Sequence, residues 1–252
     1  MKHFITLGVL AGVLLSGTVA AQTNETGNLA MLAYNNPGLT VDLGVGLWAW
    51  PLPMDFDDDG DMDLLVSCPD KPYNGIYFFE NLTGGADPLF APAKRLADAL
   101  KNVQVSFIDG KPRVMVPGRE VVQFRESFGV VQDALFLPDD ITKDLGKAPR
   151  FNQWKMVDYD NDGDVDLVVG MDDWSDYGWD NAFNSKGKWV NGPLHGYVYL
   201  IENVNGTYVN RGRIKAGSKE IDVYGAPSPN LADFDGDGDL DLFFGHGVGA
   251  SF

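Results

Sequence analysis

Short apolar runs separated by polar, turn-rich segments are the main pattern along this chain. Three of these runs, at 64–66, 167–169 and 242–244, each follow directly on a cluster of aspartates. Two further runs, at 75–79 and 196–201, contain aromatic residues and are followed by Glu-Asn. Apolar runs this short, bounded by turn residues, are typical of buried β-strands rather than of helices. The pattern predicts an all-β protein.

The N-terminal segment differs, because it holds a single apolar run of about a dozen residues after Lys2. The run ends in the small residues Val19-Ala20-Ala21 and is shorter than the roughly 20 residues that a membrane-spanning helix needs. We therefore expect residues 1–21 to be a signal peptide and 22–43 a lead-in segment. The protein is then secreted or periplasmic, with no membrane span in the mature chain.

Three acidic segments share the pattern DxDxDGDxDL, at 55–64, 158–167 and 233–242. Carboxylates at positions 1, 3 and 5 can converge on one cation, glycine at position 6 permits a sharp turn, and position 7 offers its backbone carbonyl. Aspartate at position 9 closes the shell. Such an oxygen-rich loop suits Ca²⁺ better than Mg²⁺, which demands a tighter octahedron and keeps its waters. The pattern predicts about three structural calcium ions, held by Asp55, Asp57, Asp59, Asp61, Asp63, Asp158, Asp160, Asp162, Asp164, Asp166, Asp233, Asp235, Asp237, Asp239 and Asp241.

The residues that follow each loop exclude an EF-hand. An EF-hand places helices beside the loop and a glutamate at position 12. Position 12 is here Val66, Val169 or Phe244, none of which ligates through its side chain. Since strand-like runs follow the loops, the sequence predicts calcium loops between β-strands.

The spacing of the loops predicts the architecture. Their first residues lie 103 and 75 positions apart. The larger gap contains a metal-free copy at 105–116, with two strands joined by an Asp-Gly turn, and the smaller one contains an insertion near 172–195. A repeat of about 50 residues with four short strands is typical of a propeller blade. We expect a β-propeller of four-stranded blades over residues 44–252, with about three and a half blades present.

The acidic loops, together with Tyr224-Gly225-Ala226-Pro227 shortly before the third loop, resemble FG-GAP/VCBS-type repeats. The resemblance covers about residues 44–252 and implies the fold of an integrin-α-like, calcium-bearing β-propeller. It implies no reaction, because one fold serves many functions. Propellers usually close with about four to eight blades, whereas this chain stops at Phe252 soon after its third loop. Either the chain is truncated or a second chain closes the propeller; of the two we expect an incomplete propeller in a truncated chain.

Charge narrows the choice of partner. The chain has 36 Asp and Glu against 19 Lys and Arg, for a formal net charge of -17. A protein this acidic repels a polyanion, which excludes nucleic acid as a partner. The three loops hold 16 of the acidic residues, so much of this charge is explained by metal binding. The single cysteine, Cys68, cannot form a disulfide within the chain, and we expect it to be a buried apolar residue.

The insertion carries the candidate ligand-binding residues, which are Trp174, Tyr177, Trp179, Asp180 and Trp189. Flat aromatic faces suit sugar rings, carboxylates and amides suit their hydroxyl groups, and long loops on a rigid scaffold often carry function. The same aromatic residues could instead pack the insertion onto the sheet. Both interpretations stay open at this point.

A catalytic set is also conceivable, because several propellers with calcium-bearing blades are polysaccharide lyases that act on uronic-acid polymers. The chemistry of these lyases needs a base for the C5 proton and a cation that neutralises the uronate carboxylate. The candidates are His195 with Tyr177 or Tyr197, and Arg150 or Lys155 as the cation. A lone histidine in a loop is more often a hydrogen-bonding residue than a base.

The first functional hypothesis is a secreted calcium-binding propeller that binds an extracellular ligand, a polysaccharide or a cell-surface glycan. The first alternative is a polysaccharide lyase that cleaves uronic-acid-containing glycans by β-elimination. The second alternative is an adhesion module that binds another protein. The sequence lacks the GxSxG, HExxH, P-loop and dinucleotide-binding motifs of other enzyme classes.

Overall fold

The computed structural model of the chain describes residues 33–34, 45, 48–71, 73–85, 87–128, 130–143, 145, 149–178 and 182–245. The predicted signal peptide and most of the lead-in segment lie outside these residues, as do Trp179 and Asp180 of the candidate ligand site. Among the described residues, no helix is long and apolar enough to cross a bilayer.

Nineteen strands and two short helices make up the described part of the chain. The strands are β1 (Ala33–Tyr34), β2 (Trp50–Met54), β3 (Asp63–Cys68), β4 (Gly75–Phe79), β5 (Leu89–Phe90), β6 (Lys94–Ala97), β7 (Gln104–Ile108), β8 (Lys111–Val116), β9 (Arg119–Val122), β10 (Val130–Val131), β11 (Asn152–Val157), β12 (Asp166–Asp173), β13 (His195–Val204), β14 (Thr207–Arg213), β15 (Lys215–Ala216), β16 (Lys219–Glu220), β17 (Asp222–Tyr224), β18 (Ser228–Ala232) and β19 (Asp241–Gly245). The helices are α1 (Phe124–Ser127) and α2 (Asp139–Thr142). The all-β prediction is confirmed.

The strands form several small sheets, most of them antiparallel. The first sheet has the order β2-β3-β4-β6, the second β10-β9-β8-β7, and the third β11-β12-β13-β14 with β17 also paired to β13. The fourth sheet contains β18 and β19. Two smaller pairs complete the described residues, β1 with β5 in parallel and β15 with β16 antiparallel.

The predicted strands occur where the apolar runs placed them. The runs that follow the acidic loops lie in β3, β12 and β19, and the two aromatic runs are β4 and part of β13. The two strands and the Asp-Gly turn predicted at 105–116 are confirmed as the hairpin of β7 and β8. Its turn residues Asp109 and Gly110 have φ of 51° and 72°, the left-handed geometry that a two-residue hairpin turn requires.

The strand that precedes the first loop is not predicted, because Pro51 and Pro53 occupy alternate positions of β2. Trp50, Leu52 and Met54 are buried between them. In the first sheet β2 lies at the edge and pairs only with β3. Proline has no N–H to donate and is tolerated at such an edge.

Side chains connect the first strands of successive sheets. The Lys155 ammonium of β11 donates to the Val105 carbonyl of β7. The Met156 N–H donates to the Ser106 hydroxyl at 2.8 Å. The second and third sheets are therefore held side by side along β7 and β11.

Two apolar clusters fill the space between neighbouring sheets. One contains Leu52 and Ile76 of the first sheet with Val105 of the second. The other is built around Trp154, whose side chain is fully buried among residues of the second and third sheets. Cys68 is buried as predicted.

The segment at 224–227, which resembles part of an FG-GAP repeat, packs closely on the third sheet. A Cβ at Gly170 of β12 would lie 2.0 Å from the Pro227 carbonyl oxygen. A Cβ at Gly196 of β13 would lie 1.9 Å from the Gly225 carbonyl oxygen. Only glycine permits this approach of two backbones.

Candidate metal centres and ligand site

Each acidic loop brings the carboxylates of positions 1, 3 and 9 together. One oxygen from each of the three residues lies within 4.8 Å of the other two. This holds in all three copies, which are Asp55, Asp57 and Asp63; Asp158, Asp160 and Asp166; and Asp233, Asp235 and Asp241. Each cluster could hold a metal ion.

The three loops have the same internal hydrogen bonds. The N–H of position 6 donates to Oδ2 of position 1 at 3.2, 3.1 and 3.1 Å in loops one, two and three. The N–H of position 7 donates to Oδ1 of position 5 at 3.1, 2.8 and 2.9 Å. The N–H of position 2 donates to Oδ2 of position 9 at 3.1, 2.9 and 3.0 Å. The backbone of each loop is thus folded around its own carboxylates.

Two positions of every loop have a left-handed backbone. Position 6 is glycine in each copy, with φ of 96°, 91° and 97°. Position 4 is Asp58, Asn161 or Gly236, with φ of 66°, 60° and 78°. Aspartate, asparagine and glycine are the residues that tolerate this region most readily. The left-handed backbone at position 4 explains why this position varies only among aspartate, asparagine and glycine in the three loops.

In the first two loops the position 9 carboxylate accepts a hydrogen bond from the end of the third strand of its sheet, which is β4 in the first sheet and β13 in the third. Oδ1 of Asp63 accepts the Asn81 N–H at 2.9 Å. Oδ1 of Asp166 accepts the Asn203 N–H at 2.7 Å. These asparagines belong to the Glu-Asn pair that follows both aromatic strands, so the repeat seen in the sequence is part of the metal loop's support.

The electrostatics of the loops favour a bound cation. Burial raises the pKa of Asp166 above its usual value, although the backbone N–H groups of Asn203 and Tyr159 act to lower it. Burial raises the pKa of Asp63 in the same way. For Asp61 both burial and the neighbouring carboxylates raise the pKa. A cation would relieve this cost of gathering charged carboxylates.

The donor set fits a hard cation. Asp55 Oδ1 is buried and has no hydrogen-bond partner in the structure, although it belongs to a residue of the first converging cluster. All converging atoms are carboxylate oxygens, the ligands that Ca²⁺ prefers. The position 5 and position 7 aspartates are outside the converging sets, and their role as ligands stays a prediction.

Arg125 is a supporting residue that the sequence pattern does not reveal. Its guanidinium contacts Asp58 Oδ2 at 2.6 Å and donates to the Phe56 carbonyl from Nε and Nη2 at 3.0 and 2.8 Å. It lies in α1, about 70 positions along the chain from the loop it contacts. The first loop is thereby held against the second sheet.

The candidate ligand-binding aromatics of the insertion pack on one another. Trp174 is only 8% exposed, and its Nε1 donates to Asp172 Oδ2 at 2.6 Å. Tyr177 contacts Trp174 edge-on at 5.4 Å between ring centroids and Trp189 at 4.5 Å. The packing interpretation therefore describes Trp174 well, whereas Trp189 is half-buried.

A small hairpin carries Trp189 toward solvent. Phe183 pairs with Trp189 across this hairpin, and their rings meet edge-on at 5.3 Å. Phe183 is 64% exposed, and Val190 beside it is 57% exposed. The Phe183 and Trp189 side chains thus meet on one face of the hairpin, and Val190 is a further exposed apolar residue of the same hairpin.

The candidate catalytic residues do not converge on a free base. His195 Nδ1 lies 2.8 Å from Asp222 Oδ2, and Nε2 lies 3.3 Å from Asp176 Oδ2. The Tyr197 ring stacks on His195 at 5.7 Å, and the Arg150 guanidinium lies over the Trp174 ring at 5.2 Å. A general base needs a nitrogen lone pair that faces the substrate, whereas both ring nitrogens of His195 contact carboxylates of the protein here. The catalytic set stays a prediction.

A cleft of about 1120 Å³ lies between the first strands of the sheets. Arg150, Lys155 and Trp174 all contribute to its wall, together with Gln104 and Gln153. Burial lowers the pKa of Lys155 to about 8. The wall of the cleft thus includes the start of the insertion, at Trp174, and the first strands of the second and third sheets.

The described structure is a mostly-β chain with three repeated acidic clusters, consistent with calcium loops of the FG-GAP kind. No protein-family model, curated protein or solved structure matches the chain.

Proposed function

We propose that this protein is an exported, calcium-stabilised β-propeller of the FG-GAP/VCBS type that binds an extracellular polysaccharide. The observation that carries the proposal is the repeated loop geometry. The same three carboxylates converge in three loops that share one hydrogen-bond pattern. Three independent copies of a precise arrangement of like charges are costly without a cation and useful with one.

The calcium ions have a structural role in this proposal. Each would be held by the aspartates of positions 1, 3 and 9, and the carbonyl of position 7 is a further candidate ligand. Bound cations neutralise the clustered carboxylates and allow the loops to order, so metal binding contributes directly to the free energy of folding. The loops lie between the first and second strands of their sheets, as β2 and β3 show.

The arrangement of the sheets supports the propeller. The first two sheets are four-stranded, and the third has the four-stranded path β11-β12-β13-β14. The Gln104 side chain of β7 donates to the Ser228 hydroxyl of β18 at 2.8 Å and also contacts Gln153 of β11. First strands that meet around a common cleft are what blades around an axis would produce.

The insertion supplies the proposed polysaccharide site. Trp189 and Phe183 offer aromatic faces next to polar side chains, and aromatic rings of this kind suit the apolar faces of sugars. Trp174 and Tyr177 lie behind them and fix their position. The exposed hairpin is therefore the part of the insertion that would meet the ligand.

A melt with and without chelator tests the calcium role. Thermal unfolding at neutral pH should occur at a substantially lower temperature in EDTA than in calcium, and re-addition of calcium should restore it. Mg²⁺ at the same concentration is the control and should restore much less, because it fits the loop poorly. An identical melt in EDTA and calcium would end the proposal.

A glycan array tests the ligand. We expect Trp189→Ala to lose binding that the wild-type protein shows, and Tyr73→Ala to retain it, since Tyr73 is 51% exposed but lies outside the insertion. Binding to no glycan, together with a protein partner in a pull-down, would favour the adhesion alternative. A rise in absorbance from an unsaturated product with uronic-acid polymers would favour the lyase.

A further inference from the structure

His195 joins two segments that are distant in the chain. It is the first residue of β13, and one ring nitrogen contacts Asp222 at the start of β17. The other nitrogen contacts Asp176, in the first turn of the insertion. Only 19% of the His195 side chain is exposed, against 41% for Asp222 and 65% for Asp176. One imidazole thus connects the insertion to the edge of the third sheet.

The two contacts of the His195 ring favour its doubly protonated form. A neutral imidazole has one N–H, so it can donate to one carboxylate while its other nitrogen presents a lone pair to the second. Only the imidazolium donates to both Asp176 and Asp222. Partial burial acts to lower the pKa of His195, but the hydrogen bonds and charges of Asp222 and Asp176 outweigh it and raise that pKa above its usual value.

The other charged and titratable groups around His195 do not take the place of Asp176 and Asp222 as partners of its ring nitrogens. Tyr197 stacks on the ring, and the Arg213 guanidinium lies 3.5 Å from the centroid of Tyr197. Asp173 is the backbone partner of His195 in β12, and its carboxylate accepts the Ser175 N–H at 2.9 Å. Tyr224 is the backbone partner in β17. Asp176 and Asp222 are the carboxylates that contact the imidazole.

We propose that protonated His195 is a pH-sensitive latch that holds the first turn of the insertion, residues 174–178, against β17. When the ring loses its proton, one of the two carboxylates loses its donor. The Asp176 contact is the one lost, because it is longer and its carboxylate is more exposed to water. The turn then loses its hydrogen bond to His195 and is loosened, with the edge-on contact of Tyr177 on Tyr224 of β17 left in place, while Asp222 keeps its hydrogen bond.

This loosening would spread beyond the turn. The Asp176 backbone carbonyl accepts the Gly192 N–H at 3.0 Å, and Asn191 Nδ2 donates to the Tyr177 carbonyl at 2.7 Å. The turn therefore holds the far end of the insertion, and Tyr177 holds Trp189. Loosening at Asp176 changes the presentation of the exposed hairpin. The latch concerns the order of the insertion and does not require the proposed polysaccharide.

Hydrogen exchange of the insertion, followed by mass spectrometry from pH 5.5 to 9 in constant calcium, tests the latch. After correction for the intrinsic pH dependence of exchange, protection of peptides covering 174–192 should fall about twofold to fivefold, the range of one partly exposed ion pair. The midpoint should lie above that of a free histidine. Asp176→Ala should show the low protection at every pH, whereas Lys186→Ala in the same hairpin should behave as wild type.

Two results would overturn the latch. One is protection of 174–192 that does not change between pH 5.5 and 9 in the wild-type protein. The other is a transition that persists unchanged in Asp176→Ala. Because the Asp176 side chain is mostly exposed, this variant should fold, and peptides from the first sheet provide the internal reference. If the wild-type protein binds no glycan but shows the pH-dependent change in hydrogen exchange, the proposed function is contradicted and the latch is not.

Discussion

Replacing Asp166 by asparagine should separate the metal role of the second loop from its structural role. Asp166 is only 1% exposed, belongs to the converging cluster, and accepts two backbone N–H groups at 2.9 and 2.7 Å. Asparagine keeps the size of the side chain but removes the charge. Oδ1 can still accept one of the two donors, whereas the amide NH₂ cannot accept the other.

The expected magnitude differs with and without calcium. Without metal, burial of the charge works against the two hydrogen bonds, as the raised pKa of Asp166 shows. The free energy of unfolding should then fall by about 1–3 kcal/mol, the cost of a buried N–H left without an acceptor, partly offset because the charge is no longer buried. With calcium at about 100 times its dissociation constant, the wild-type loop gains about 2.7 kcal/mol that the variant lacks. That is about 5–11 °C in melting temperature for a domain of this size.

Thermal melts of the wild type, Asp166→Asn and Asp164→Asn, each in EGTA and in calcium, measure this difference. Asp164 is the matched control, because its carboxylate carries the same charge in the same loop but lies outside the converging set, and the substitution keeps the backbone carbonyl that is its candidate ligand group. We expect the wild type and Asp164→Asn to melt close together in EGTA, Asp166→Asn to melt somewhat lower there, and the deficit of Asp166→Asn to become much larger in calcium. The reasoning is refuted if Asp166→Asn loses as much in EGTA as in calcium, or if Asp164→Asn loses equally.

Three further predictions test the fold. The pKa of Lys155 is about 8 in the folded protein and 10.5 ordinarily. Between these two pH values the unfolded chain binds more protons than the folded one, so the free energy of unfolding should rise with pH. Urea titrations should show this rise in the wild type and not in Lys155→Met. Gly163→Ala should cost about 1–3 kcal/mol through strain at φ 91°, whereas Gly236→Asn should cost less in the same thermal melt, because the second loop has asparagine there. Gly196→Ala should cost about 3 kcal/mol since its Cβ would meet a carbonyl at 1.9 Å, and Gly245→Ala, with open space, should cost far less; equal melting temperatures would contradict the packing.

The sequence predicts the parts of the fold that depend on local pattern. The strands after the loops follow from short apolar runs, and the converging aspartates follow from their spacing. The hairpin of β7 and β8 follows from Asp109-Gly110. In each case neighbouring residues supply both the signal and the structure.

The remainder depends on contacts between distant residues. The two prolines of β2 argue against a strand until its edge position is known. Arg125 and Asn203 support the metal loops from distant positions, so nothing near the loops reveals them. The two carboxylates on His195 come from the insertion and from β17, and only the folded chain brings them to opposite sides of one ring.

Many of the acidic residues of the chain lie in the three proposed calcium loops. Of its 36 acidic residues, 16 lie in the three loops. Three calcium ions would offset six of the negative charges, which would change the formal net charge from -17 to -11. A large part of the acidic composition then serves to hold the fold together, and the charge that remains still disfavours a nucleic-acid partner.

Isothermal titration of the calcium-free protein with Ca²⁺ tests the central claim most directly. We expect about three calcium ions to bind per chain, one to each acidic cluster. We also expect Asp166→Asn to lower this number by one and Mg²⁺ at equal concentration to bind much more weakly. Absence of calcium binding to the folded chain, or an unchanged stoichiometry in Asp166→Asn, would contradict this claim.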